Sequence, residues 1–116
     1  MGYSHGGGAV YQLSNKIEKD TELNKLEIVL TCYVDAIKGN VDLNFFSEKR
    51  RPKNSAKHVN YYQQGGLAGK AMDNPAEGDF EVNLDANGEL FTHYTIDDAE
   101  VVQNGLYNFL KNLNNN

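Results

Sequence analysis

The apolar positions change their spacing along the chain, and each change marks an element. From residue 6 to 18, Val10, Leu13 and Ile17 recur at intervals of three and four, which predicts an amphipathic helix. Its first turn holds Gly6, Gly7 and Gly8, each costing a helix about 1 kcal/mol against alanine. Such a run suits close approach to neighbouring backbone; the other reading is a flexible N-terminal leader. Residues 20 to 25 are polar and turn-like. From Leu26 to Val34 the chain is β-branched and almost continuously apolar, as expected of a strand buried on both faces of a parallel sheet. A second strand is expected from His58 to Gln63, stopped by Gly65 and Gly66. Between these strands, residues 38 to 57 form a connecting segment broken by Asn40, Asn44, Pro52 and Asn54, with Val41, Leu43, Phe45 and Phe46 tucked against the body.

Residues 65 to 78 are rich in small side chains and read as loop. Phe80, Val82 and Leu84 then alternate with Glu81, Asn83 and Asp85, the pattern of a half-exposed strand. Asn87-Gly88 signals a turn, after which residues 89 to 92 pair back or run out as loop. Asp97 and Glu100 have the spacing of a capping box. The helix it opens carries Val102, Leu106, Phe109, Leu110 and Leu113 on one stripe, with Gly105 marking a close contact. There is no internal repeat. The pattern is that of an α/β protein with about three strands between an N-terminal and a C-terminal helix.

The chain has 116 residues, enough for one domain with one core, assigned to residues 1–116. Its net charge of -5 argues against nucleic-acid or acidic-membrane partners, which require clustered positive charge. The one basic cluster, Lys49-Arg50-Arg51 with Lys53 and Lys57, is short and reads as a solvated loop. Cys32 is the single cysteine, so no internal disulfide can form; it reads as a small buried side chain, with a lean toward a reducing, cytoplasmic compartment. No apolar run reaches the ~20 residues of a membrane span, and no signal peptide is expected ahead of Gly2.

The chemistry is concentrated in Gly2-Tyr3-Ser4-His5-Gly6, which has the form G-x-S-x-G. In that pattern a serine sits on a tight strand-to-helix turn, crowded enough to require small neighbours. Acyl transfer by such a serine needs a base, an acid that orients the base, and backbone donors for the oxyanion. Among the three histidines, His5 lies inside the motif, where its backbone N–H suits an oxyanion. His58 starts a strand and suits a structural role. His93 precedes the last helix and can reach back over the sheet edge as the base. Asp35 ends the most apolar strand, where open α/β sheets place site residues. Asp42 and Asp97 are the other acid candidates, Asp97 being better explained as a helix cap. His5-Gly6-Gly7-Gly8 also spells an HGGG oxyanion loop, but that loop should precede a separate G-x-S-x-G, and none follows.

The run from Gly2 to Gly8, Tyr33-Val34-Asp35-Ala36, His58 to Gln63, and Thr92 to Asp97 together resemble the C-terminal half of a lipase-like α/β-hydrolase. The resemblance spans nearly the whole chain and rests on the order and spacing of short motifs. It implies a partial α/β-hydrolase fold beginning at the nucleophile elbow, Ser4 as nucleophile, Asp35 as acid, His93 as base, hydrolysis of carboxylic esters including those of lipids, and no cofactor or metal. The chain departs from the pattern at its start: the strand feeding the elbow and the loop giving a second oxyanion donor are expected to be missing. Loss of one such donor costs about 10²–10³ in rate, so little or no activity is expected of these residues alone. The strand at 26–34 would then lack its inner neighbour and expose an edge open to self-association. A different class remains open, a non-catalytic α/β interaction protein or degenerate remnant.

Overall fold

The computed structural model describes residues 1–39, 46–65, 68–87 and 92–114, the side chains of 86 and 87 excepted. Along these residues run β1 (Gly2–Tyr3), α1 (His5–Lys19), β2 (Ile28–Val34), β3 (Ile37–Lys38), β4 (Phe46–Ser47), β5 (Ser55–Tyr62), β6 (Phe80–Asn83), a 3-10 turn (Leu84–Asn87) and α2 (Glu100–Asn114). Four strands form one sheet in the order β1-β2-β5-β6, and every adjacent pair is parallel. β3 and β4 form a separate antiparallel ribbon. The result is an α/β arrangement.

Alternation along β2 assigns the two helices to opposite faces of the sheet. Cys32 and Val34 point with Val59 and Tyr61 into a core that Leu84, Ile96, Ala99 and Val102 complete on the α2 side. Tyr33 points the other way, to Ala36, Met72 and the α1 residues Val10 and Tyr11. The α1 side is the more polar: Thr31 and His58 are buried on it, with His58 Nδ1 2.8 Å from the Thr31 hydroxyl and the ring edge-on to Tyr33. His58 is thus a core residue, as its strand position suggests. Cys32 is buried as expected, and burial pushes its thiol up to about 12.

Several expectations are corrected. The strand feeding the elbow is present as β1, a two-residue strand pairing Gly2 with Tyr33 and Tyr3 with Val34, so the N-terminus is no loose leader. β2 is shorter than 26–34, and only its second half is buried on both faces; Val29 is exposed. α1 buries Gly7, Gly8 and Ser14 while Leu13 is exposed, because the glycine face and not the aliphatic stripe meets the sheet. A Cβ at Gly7 would lie 2.2 Å from that of Ala36 and one at Gly8 2.8 Å from the Ile37 carbonyl oxygen, whereas one at Gly6 would meet nothing. α2 begins at Glu100, three residues beyond Asp97; Ala99, whose carbonyl accepts from Gln103, takes the cap position, so Asp97 does not cap this helix. Val102 is buried and Leu110 exposed, while Gly105 does mark a close contact, its position leaving room for the Tyr61 hydroxyl.

The basic cluster is only in part a solvated loop: Lys53 and Lys57 are exposed, but Lys49, Arg50 and Arg51 are half-buried and paired. Arg50 makes two bonds to buried Glu48 (2.8 and 2.6 Å) and lies 3.8 Å over the Tyr11 ring. Arg51 grips Asp79 with two bonds (2.6 and 2.9 Å), and Lys49 pairs with Asp73. The contacts to Tyr11, Asp79 and Asp73 fasten the connecting segment to the body, and the pairs cancel its charge locally. Phe46 is exposed rather than tucked in. The readings of Val41, Asp42, Leu43, Phe45, Gly88 and residues 89–91 lie outside the described residues. No described helix is long and apolar enough to cross a membrane.

Candidate active site

Ser4 occupies the single residue between β1 and α1, with φ 54° and ψ −125°. A non-glycine residue with positive φ is strained by about 1–3 kcal/mol and persists only where its surroundings over-determine it. Here they do. The Ser4 N–H donates to the Val34 carbonyl (3.1 Å), and the Ser4 carbonyl accepts from Gly7 (3.0 Å) and Ile37 (2.9 Å). Gly2 permits this turn because a Cβ there would lie 2.1 Å from the Gly6 carbonyl oxygen. Backbone crowding thus demands the first glycine of the motif, whereas Gly6, expected to be crowded too, has open space around it.

Asp35 follows β2 directly. It is fully buried, also at positive φ (46°), and its N–H donates to Tyr61 (2.8 Å). Its side chain meets His93, whose Nδ1 stands 2.7 Å from Oδ2. His93 Nε2 stands 2.9 Å from the Ser4 Oγ. A carboxylate only accepts, so Nδ1 carries the imidazole proton and Nε2 is left to accept from the serine hydroxyl. The chain Ser4–His93–Asp35 is therefore continuous at hydrogen-bond distance. The structure brings together all three residues singled out from the sequence, although they are separated by up to 89 positions.

His93 rides on a turn before α2. That turn is closed by Thr92 and Thr95 through the Thr92 N–H to Thr95 Oγ1 bond (3.1 Å) and by the Ile96 N–H to Thr92 carbonyl bond (3.1 Å). Buried Ile96 anchors it in the α2-side core. His5 is the first residue of α1, so its backbone N–H stands at the helix N-terminus beside the serine, where the partial positive end of the helix favours negative charge.

Four supporting residues were not singled out from the sequence. Gln63 is buried and its amide donates to Asp35 Oδ2 (3.3 Å). Gly69 lies so close to Asp35 that a Cβ would be 2.6 Å from its Cα. Asn60 holds the same loop by donating to the Lys70 carbonyl (2.9 Å). Tyr3 stacks on the His93 ring at 5.1 Å between centroids with 26° between planes, and its hydroxyl donates to the His93 carbonyl. Burial, then the Asp97 and Asp35 carboxylates, hold the Tyr3 phenol above its usual range, so it remains a donor. Tyr3 lay in full view inside the motif; Gln63, Gly69 and Asn60 carry no signal without the fold. Among the described residues no group of three or more His, Cys, Asp or Glu could hold a metal ion.

No family model matches the chain, and no curated protein or solved structure is significantly similar to it.

Proposed function

We propose that the chain is a serine hydrolase of the lipase or esterase type, related to the α/β-hydrolases, acting on carboxylic esters. The observation that carries this reading is the continuous Ser4–His93–Asp35 chain, with the serine on a strained strand-to-helix turn. In the proposed reaction Ser4 Oγ attacks the ester carbonyl carbon while His93 Nε2 takes its proton. The His5 N–H faces the oxygen that becomes negative. His93 then returns the proton to the departing alcohol, and the acyl-enzyme is hydrolysed by a water that His93 activates in the same way. Asp35 steadies the imidazolium in both steps. No cofactor is required. Turnover is expected to be slow, because one oxyanion donor is assigned and a second is worth about 10²–10³ in rate.

A fluorophosphonate probe tests this directly, since it reports an activated serine without needing fast turnover. Intact mass should show one adduct, mapped to Ser4, absent in Ser4→Ala and slowed at least about 10³-fold in His93→Ala. A folded protein that takes up no probe would sink the proposal. A second reading, a non-catalytic protein that self-associates through its sheet edge, is favoured by one feature. β1 covers only Tyr33 and Val34, and beside the open flank of β2 lies an apolar cleft of about 460 Å³ lined by Met1, Leu30, Cys32, Leu106, Tyr107 and Leu110. That reading leaves the Ser4–His93–Asp35 chain without a purpose. It would be preferred if light scattering shows oligomers and the probe finds no reactive serine.

A further inference from the structure

We infer that Tyr3 is the positioning residue that ties the base to the nucleophile's own strand, fixing the plane and the height of the His93 imidazole above Ser4. The inference rests on the reading of Ser4 and His93 as nucleophile and base. It begins from what the Asp35 bond leaves undetermined. A single hydrogen bond at Nδ1 fixes one point of the ring. The ring can still rock about that point and carry Nε2 away from Oγ. Tyr94 touches the ring edge-on from the same turn (5.8 Å between centroids), and the two contacts that tie it to the serine's strand both come from Tyr3. The stacked phenol ring, 26° from parallel with centroids 5.1 Å apart, limits the tilt of the imidazole. The phenol hydroxyl, donating to the His93 carbonyl, fixes the backbone from which the imidazole hangs.

The location makes the coupling direct. Tyr3 adjoins Ser4 in the chain and is paired across the sheet with Val34, the neighbour of Asp35. One residue is thus rigidly related to all three members of the triad. The base, by contrast, arrives on a distant turn whose own backbone bonds stay within residues 92–99. Stacking also acts on the chemistry. When His93 takes the Ser4 proton it becomes a cation, and the face of an aromatic ring attracts a cation. Packing alone does not account for the residue. A phenylalanine or leucine would fill the same space, but only a phenol can reach the His93 carbonyl.

The test uses the full chain with three variants, Tyr3→Phe, Tyr3→Leu and Ser4→Ala. Tyr3→Phe keeps the stack and loses the bond, and is expected to slow fluorophosphonate labelling of Ser4 about tenfold, the scale of one hydrogen bond. Tyr3→Leu loses both contacts and should slow labelling about 10²-fold, the scale of a misplacement near 1 Å. Urea unfolding, run alongside, should show Tyr3→Phe folded across the labelling conditions. Labelling of both Tyr3 variants at the wild-type rate would overturn the inference, as would slowing that merely tracks the unfolded fraction. A second readout does not depend on reactivity. The His93 Nδ1 proton, hydrogen-bonded to Asp35, should give a downfield proton resonance that persists in Ser4→Ala and broadens away in Tyr3→Leu. If the wild type takes up no probe, the proposed function fails, and this resonance still decides the role of Tyr3: an unchanged signal in Tyr3→Leu refutes it. Should Tyr3→Leu not fold, Tyr3→Phe carries the test, with a broadened resonance expected and an unchanged one refuting the inference.

Discussion

Ser4 is held in a conformation that an L-amino acid adopts reluctantly, φ 54° and ψ −125°. The strain bears on stability at a single position. Glycine takes positive φ at little cost, so Ser4→Gly should relieve the turn, whereas Ser4→Ala should retain its strain. Both variants lack the serine hydroxyl. The expected result in urea unfolding is Ser4→Gly more stable than Ser4→Ala by about 1 kcal/mol, since part of the 1–3 kcal/mol relief is offset by glycine's larger unfolded-state entropy. Ser4→Ala matching or exceeding Ser4→Gly would mean that the turn is not strained in solution. The meeting of Ser4, His93 and Asp35 was legible because each lay at a place with a physical reason: a serine between glycines, a carboxylate closing an apolar strand, a histidine in the segment that leads into the last helix. Its supports were not. Gln63 and Gly69 matter only because the β5–β6 connection folds back onto Asp35, a long-range fact that no local pattern carries.

At the scale of elements, α1 shows where periodicity misleads. Val10, Leu13 and Ile17 have helical spacing, and the helix is there, yet the face that meets the sheet is the glycine face. A helix that starts at the elbow must run close over β2 and the Ala36–Lys38 backbone, so small residues and not aliphatic ones decide the contact. The three glycines are therefore unequal. Gly6→Ala should stabilise the protein by about 1 kcal/mol, because the added methyl meets nothing and alanine is the better helix former. Gly7→Ala should destabilise it by more than that gain, since its methyl would lie 2.2 Å from the Ala36 Cβ. Thermal or urea unfolding of the two variants checks the pair, and equal shifts would refute this account. The C-terminal helix errs in the other direction: the Asp97–Glu100 spacing mimics a capping box, but the segment before Glu100 is spent instead on the turn that presents His93. Strand order was the least legible feature. The parallel character of the sheet followed from the apolar run of β2, whereas the place of β6 beside β5 depends on the long connection between them.

For the whole molecule, the two faces of the sheet respond differently to acid. The α2 side is apolar in its core, while the α1 side buries His58 with its Nε2 unpartnered among the described residues. Burial is the main cause that lowers the His58 pKa from 6.5 to about 4; nearby Arg51 adds to the shift and Asp79 opposes it. The folded protein therefore binds this proton less readily than the unfolded chain. The stability His58 contributes as a neutral group is fully present above pH 6.5 and is lost as the pH falls toward 4. The loss amounts to about 3 kcal/mol at 1.36 kcal/mol per pKa unit, a large share of the ~5–15 kcal/mol that holds a domain of this size together. Asp79 is lowered by its bonds from Arg51, Ala76 and His58 against an opposing burial cost, so its contribution is present above its unfolded value of 3.8 and fails only below the His58 window. Glu81 works in the opposite sense. Burial raises its pKa, so the folded state takes up its proton more readily and gains stability as the pH falls. The wild-type profile is thus a net slope, and a variant must separate the parts. Urea midpoints measured from pH 7 to 4.5 should fall steadily for the wild type and much less for His58→Gln, which keeps polar atoms in place and removes the titration. Parallel profiles for the two proteins would show that His58 is not the buried, neutral group that this face of the sheet is built around.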